Sequence, residues 1–337
     1  MKRNIKTQIC TAIFALSLIS LLTGCADKAS SVNKDGELAD KKFAFVVKSA
    51  GNENMKKMTE GFQSVIEPKG GEVIVKEPSY ATNDQTELIG SLISQDVSGI
   101  SIAVNDPASL APMLNEAKSK GIFISAFDSP ANPEDRHIFV NQVETEQVGK
   151  ALVEAVYDIT GGSGQWAVLS TTSLAPNQNA WIDAMKSELE KDRKYDGMEL
   201  VNVVYGNDDA EKSKSETSKL LKEYPDLKVI CSPTTIGILA AAETVSNAGS
   251  DVKVTGLGLE DEMSMYIGKE NVCPYIFFWD SVALGKLTAY TAIALEEGKI
   301  TGASGETFDA GDLGTFTIQD AENGGTEVIL GPLVKID

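Results

Sequence analysis

The stretch Phe43-Ala44-Phe45-Val46-Val47-Lys48-Ser49-Ala50-Gly51-Asn52, followed by Glu53 to Glu67, decides the fold. Its first five residues form an apolar run of strand length with no alternation, and the run stops on a lysine. From Glu53 onward apolar residues return at helical spacing, through Met55, Met58, Phe62 and Ile66. An uninterrupted apolar strand joined by a polar turn to an amphipathic helix is the unit of a parallel sheet covered on both faces.

The unit repeats along the chain. Residues 73–75 read as a strand, 87–93 as a helix and 100–104 as a strand. Residues 107–120 then read as a helix with Pro107 in its first turn, and 122–127 as a strand. After a strand at 137–140, a second series pairs helices at 144–160, 177–189, 210–222 and 237–248 with strands at 166–170, 200–205, 229–231 and 252–256. A last strand at 275–279 and a helix at 283–297 follow. Repeated βα units predict an α/β fold with two doubly wound parallel-sheet lobes. Ligands of such sheets bind outside the carboxyl ends of the strands, so the residues just after each strand are the informative ones.

The N-terminus reads as an export signal. Lys2, Arg3 and Lys6 precede an apolar run from Ile9 to Leu22, too short to span a bilayer and of the length of a signal-peptide core. The run ends in Leu22-Thr23-Gly24-Cys25, small residues before a cysteine, as in a bacterial lipobox. Residues 1–24 are therefore expected to be a lipoprotein signal, Cys25 to carry the lipid, and residues 25–40 to form a flexible tether on the extracytoplasmic face of the cell membrane. Cys10 leaves with the signal. Cys231 and Cys273, each in an apolar stretch, either pair in an oxidising compartment or pack as buried thiols. No spacing resembles a metal site, and no cofactor is expected.

Thirty basic and 49 acidic residues give a net charge of −19. So acidic a surface repels phosphate backbones and excludes nucleic acid as a partner. About 300 residues remain after the signal, the size at which one core splits into two.

After the strands stand Lys48, Asp128-Ser129-Pro130, Asn177-Gln178-Asn179, Ser232-Pro233-Thr234-Thr235, Leu257-Gly258-Leu259-Glu260 and Trp279-Asp280. One ammonium, carboxylates, amides, hydroxyls and an indole suit a polyhydroxylated ligand, whose hydroxyls need donors and acceptors and whose apolar face packs on an aromatic ring. Plainer readings stand beside these: Asp128 or Asn177 as helix caps, Pro233 as a turn former, Trp279 and Trp181 as core. Asp208 and Asp209 read as capping for the helix at 210–222. Gly256-Leu257-Gly258 lacks the third glycine of a dinucleotide fingerprint, and no Walker sequence occurs. An enzyme reading has little to work with. His137 is the one histidine and opens an apolar strand, no G-x-S-x-G elbow occurs, and only a lysine-based aldol chemistry at Lys48 stays open.

Residues 41–337 resemble the type I periplasmic sugar-binding proteins of the ribose-binding superfamily, and within it the rhamnose-binding and autoinducer-2-binding proteins. The resemblance is carried by Val46-Val47-Lys48, Phe127-Asp128-Ser129, Asn177-Gln178-Asn179-Ala180-Trp181-Ile182, Tyr205-Gly206-Asn207-Asp208-Asp209-Ala210, Pro233-Thr234-Thr235-Ile236-Gly237 and Thr255-Gly256-Leu257-Gly258-Leu259. It implies two lobes joined by three crossings, expected at 41–141 with 274–302 and at 142–273 with 303–337. It implies a ligand held between the lobes by Lys48, Asp128, Asn177, Gln178, Pro233 and Thr235, with no chemistry done on it; the strand-end inventory adds Trp279 and Asp280 to the expected site. It further implies partnership with an ABC permease and its ATPase. Lys48, Asp128, Gln178 and Pro233 keep the identities seen in autoinducer-2 receptors. Asn177 and Thr235 replace an aspartate and an alanine there and instead resemble the rhamnose-type loops, so a 6-deoxyhexose is favoured over autoinducer-2. Ser129 stands where ribose binders carry arginine, which disfavours ribose. A chemoreceptor-coupled sensor remains a rival; a transcription regulator of the same fold would need an N-terminal DNA-binding helix pair and no lipobox, the opposite of what this chain carries.

Overall fold

The computed structural model describes residues 36–78, 82–322 and 324–337. The signal core, Cys25 and most of the expected tether lie outside the described residues. The tether was expected to run to residue 40, but the packed domain begins before that. Leu38 is buried, and its N–H bonds the carbonyl of Lys69 at 2.9 Å.

The first series runs β1 (Lys42–Val46), α1 (Glu53–Ile66), β2 (Glu72–Lys76), α2 (Thr82–Ile93), β3 (Gly99–Ile102), α3 (Pro107–Ser119), β4 (Phe123–Phe127) and β5 (Ile138–Asn141). The second is α4 (Thr145–Thr160), β6 (Gly164–Ser170), α5 (Pro176–Lys191), β7 (Met198–Tyr205), α6 (Ala210–Glu223), β8 (Leu227–Ser232), α7 (Thr235–Asn247), β9 (Lys253–Gly256), α8 (Glu260–Met263) and β10 (Ile276–Phe278). The chain then forms α9 (Ser281–Glu296) and five short strands: β11 (Thr307–Asp309), β12 (Thr315–Thr317), β13 (Gln319–Asp320), β14 (Thr326–Ile329) and β15 (Val334–Ile336).

Two sheets result. One has the order β13-β14-β5-β4-β3-β1-β2, and every pairing in it is parallel except β13 with β14. The other is the parallel set β7-β6-β8-β9, which a parallel bridge from Leu257 to Phe277 extends to β10; β15 closes it antiparallel to β10. β1 shows why its sequence has no polar alternation. Phe43 and Phe45 pack with Met58 and Phe62 of α1 on one face, while Ala44 and Val46 pack with Ile89 and Leu92 of α2 on the other. A strand with helices on both faces has no wet side.

The lobe boundaries differ from expectation in the last third of the chain. Residues 303–337 were assigned to the second lobe, yet β14 lies parallel to β5 in the first sheet, and only β15 returns to the second. Residues 274–278, assigned to the first lobe, instead belong to the second sheet through β10. The chain crosses between sheets from β5 to α4, from β10 to α9 and from β14 to β15. The reason is the open edge of β5, whose backbone groups need a partner; β14 supplies it and buries Val328 completely.

Candidate functional site

Lys48 is placed by its neighbours rather than by its own strand. Gln85 of α2 is fully buried, donating to the carbonyls of Val47 (3.1 Å) and Ala103 (2.8 Å) and accepting from the Asn105 N–H (3.0 Å). Asn105 in turn donates to the Lys48 carbonyl at 2.9 Å. The ends of β1 and β3 are thereby locked together, and the lysine side chain is directed off the sheet.

Its ammonium lies 3.2 Å from the Asp128 carboxylate and donates to Asn177 Oδ1 at 2.9 Å. Lys48 is 5% and Asp128 4% exposed, so this is a buried pair. Asp128 follows β4 with φ +57°, a left-handed turn that aspartate tolerates better than most side chains. Burial pushes its carboxyl above the usual aspartate range; the charge and hydrogen bond of Lys48 oppose that, and Asp208 adds to it. Asn177 does not cap α5. Ala175 occupies the cap position and Pro176 the first turn, while the Asn177 amide donates across the cleft to the Asp128 carbonyl at 3.2 Å. Gln178 accepts from Ser170 Oγ (3.1 Å) and donates to the Pro233 carbonyl (2.6 Å), joining the loops after β6 and β8. Thr235 opens α7, buried. Trp279 stacks on Phe278 with ring centroids 4.4 Å apart and stands 6.0 Å from Trp181.

Seven of the eight expected residues thus line one small cavity of about 40 Å³ between the sheets: Lys48, Asp128, Asn177, Gln178, Pro233, Thr235 and Trp279. Asp280 does not. It is exposed, and its carboxylate accepts from the Ala283 N–H at 2.9 Å, capping α9. An aspartate directly before a helix finds its orphan amides closer than any ligand. Trp181 belongs to the core and also reaches the cavity. The sequence reading did not assign Asn52, Asn54, Thr171, Thr234 and Asp208 to the site, yet all five line the wall, with Met55, Leu257 and Phe278. Of the pair read as caps, Asp209 caps α6 through the Lys212 N–H (2.7 Å), whereas Asp208 faces the cleft. Two acids before one helix need only one cap, and that redundancy was the available signal.

Two buried polar atoms in this wall, Thr171 Oγ1 and Trp279 Nε1, have no partner within the protein. Native interiors seldom leave such atoms unpaired. A larger cavity of about 290 Å³ adjoins, sharing Asn177 and Trp181. Of its ionic groups, Arg136 donates through its Nη atoms to the carbonyls of Ala131 and Gly324 and Glu327 accepts from Asn141, while Arg136 Nε and Gln142 Oε1 are buried without a partner. The smaller cavity is the one that gathers seven of the eight residues expected from the strand ends, with the Lys48–Asp128 ion pair among them.

Other groups are structural. His137 Nδ1 accepts the Ile124 N–H at 3.0 Å, and burial holds its pKa below the usual histidine range. Cys231 and Cys273 are free and buried, with thiols pushed up to about 12, so neither is a nucleophile at neutral pH. Among the described residues no cluster of His, Cys, Asp or Glu could hold a metal ion, and no helix is long and apolar enough to cross a membrane.

Comparison with known proteins agrees with this architecture. A solute-binding protein of an ABC transporter from Clostridium phytofermentas, solved with L-rhamnose bound, is 46% identical; the alignment covers 88% of this chain and 95% of that one, with a TM-score of 0.86. LsrB from Clostridium saccharobutylicum, solved with AI-2, is 20% identical over 88% of this chain and 97% of its own, with a TM-score of 0.82, a likeness of fold. The D-ribose/D-allose-binding protein of Pseudomonas aeruginosa is 26% identical over 273 residues, 76% of this chain and 81% of that protein. These are proteins that bind and deliver solutes rather than transform them. Residues 43–300 match the periplasmic binding protein domain, and the chain belongs to that family.

Proposed function

We propose that this protein is the extracytoplasmic solute-binding component of a carbohydrate ABC importer and that its ligand is a 6-deoxyhexose of the L-rhamnose type. The observation that carries the reading is the buried Lys48–Asp128–Asn177 junction between the two sheets. A charged donor, a carboxylate and an amide converge there beside two unpartnered polar atoms and two indoles. The 46% identity to an L-rhamnose-bound protein supports the choice of sugar. The ring hydroxyls take over hydrogen bonds that Lys48, Asp128 and Asn177 make to one another, and Trp279 and Trp181 cover the apolar face of the ring. Specificity comes from polar placement, because a buried hydroxyl left without its partner costs about 1–3 kcal/mol. Lipidation at Cys25 holds the protein at the membrane beside its permease and ATPase.

Autoinducer-2 is the second reading, favoured by the resemblance of Lys48, Asp128, Gln178 and Pro233 to residues of its receptors. Calorimetry with L-rhamnose and autoinducer-2 decides between them. Wild type is expected to bind L-rhamnose in the micromolar range, roughly −8 kcal/mol. Asn177→Asp with Thr235→Ala is expected to shift preference toward autoinducer-2. Wild type that ignores L-rhamnose and binds autoinducer-2 tightly refutes the first reading.

A further inference from the structure

Asp208 makes two side-chain hydrogen bonds across the cleft, as many as Asn177, and nothing in ligand recognition alone requires them. Its Oδ2 accepts from Ser49 Oγ at 3.2 Å and from Asn52 Nδ2 at 3.0 Å, both on the β1–α1 turn of the first lobe. Its Oδ1 accepts from Thr234 Oγ1 at 2.9 Å, on the β8–α7 turn of the second lobe. The Asn52 amide has a fixed sense. Its Oδ1 caps α1 by accepting the Met55 N–H at 3.2 Å, so its Nδ2 is the end that meets Asp208.

The loop that presents Asp208 is shaped for it. Asn207 and Asp208 have φ of +56° and +53°, consecutive left-handed residues that side chains other than glycine seldom adopt. The turn is tied to the end of β6 by Gly206 N–H to the Ser170 carbonyl (2.8 Å) and Asn207 N–H to the Thr171 carbonyl (2.7 Å). Asp209 performs the helix capping, which leaves Asp208 free for the cleft. Asp208 itself belongs to the second lobe, so Thr234 holds the acceptor-only carboxylate in place within that lobe, and Ser49 and Asn52 of the first lobe donate to it across the cleft.

We infer that Asp208 is a positioning residue for ligand capture, a clasp whose carboxylate, held within the second lobe by Thr234, bonds the first lobe only when the two are closed and so sets how slowly a bound ligand is released. The inference rests on the solute-binding reading above. Bonds that exist in the closed state and not in the open one shift the balance between the two by their full worth. Escape of a ligand enclosed between lobes requires opening, so the effect falls on the dissociation rate. Asparagine at this position keeps one acceptor and turns an N–H toward a donor.

The test uses the full chain and L-rhamnose as probe. Stopped-flow tryptophan fluorescence on wild type, Asp208→Asn, Ser49→Ala and the double variant gives both rate constants. Asp208→Asn is expected to raise the dissociation rate about tenfold or more, the worth of a charge-assisted hydrogen bond. The association rate is expected to stay within about threefold. Ser49→Ala is expected to accelerate release in wild type and to add little in Asp208→Asn, because the two residues share one bond. The ligand-free melting temperature is to stay near the wild-type value, which a merely structural role would not allow. A wild-type dissociation rate in Asp208→Asn overturns the clasp. Should wild type fail to bind L-rhamnose, the sugar assignment falls by itself, and the clasp is then decided by spin-label distances between positions 60 on α1 and 222 on α6 in ligand-free protein. Fewer closed distances in Asp208→Asn support it; identical distributions overturn it.

Discussion

Asp128 shows how one side chain serves both stability and binding, with opposite signs. Burial holds its pKa above the usual aspartate value of about 3.9, so mild acid protonates it while exposed carboxylates stay ionised. The folded state then takes up a proton more readily than the unfolded chain, and this residue's contribution to stability rises as pH falls through that window. The neutral carboxyl at the same time weakens its ion pair with Lys48 and its capacity to accept ligand hydroxyls. Affinity for L-rhamnose is therefore expected to decline on acidification from pH 7 toward pH 4, with Asp128→Asn giving a flatter calorimetric profile; affinity unchanged across that range would contradict the assignment. Asp128→Ala is expected to lose at least about 100-fold in affinity, since it removes hydrogen bonds to a charged group worth about 1.5–3 kcal/mol each. It also strands the buried Lys48 ammonium, so its melting temperature should fall below that of Asp128→Asn. At this scale the sequence was readable wherever a polar residue interrupts or follows an apolar strand. Lys48, Asp128 and Gln178 stand out in that way, and the structure brings them to one cavity. It misled at Asp280, where the same position is a helix cap, and at Asp208, read as a cap although Asp209 alone does the capping and a left-handed backbone turn presents Asp208 to the cleft.

Among the elements, the junction of α1 with α9 is the tightest. A methyl group added at Gly61 would stand 2.1 Å from the Val282 carbonyl oxygen, and one at Gly285 1.9 Å from that of Met58. The helices meet backbone to backbone, and α1 carries Asn52 and Met55 of the cleft wall at its first turn. Gly285→Ala is expected to destabilise the protein by about 1–3 kcal/mol, the usual cost of overpacking, and to weaken ligand binding through the displaced start of α1. Denaturant titration and calorimetry check the two parts; a variant with unchanged stability would mean the helices part freely. The βα units were legible because each strand is an unbroken apolar run and each amphipathic helix repeats at helical spacing. The five strands after α9 were not, because two to four residues carry no period. Thr326-Glu327-Val328-Ile329 becomes a strand only because the edge of β5 requires one.

For the whole molecule, three crossings tie two sheets that share one hydrophobic cluster, and the β1–α1 turn of one bonds the β7–α6 turn of the other across the cleft. The exposed pair Lys57–Asp261, at 2.8 Å, adds a contact at the rim. A ligand that binds the closed state alone stabilises the fold by mass action. L-rhamnose at about 100 times its dissociation constant is expected to add about 2.7 kcal/mol and to raise the melting temperature by several degrees. An unmoved transition at that concentration would rule the sugar out as a ligand.

The placement of the indoles has an optical consequence. The sequence contains three tryptophans. Trp166 is sealed in the interior of the second sheet, while Trp181 and Trp279 stand 6.0 Å apart at the cleft. One emitter is shielded from whatever occupies the site, and two adjoin it. Binding should therefore alter intensity and quenching at the pair while leaving a constant background from the third, so the unlabelled protein reports its own saturation. Trp166→Phe would remove that background and sharpen the signal, turning the molecule into a reagentless gauge of its solute.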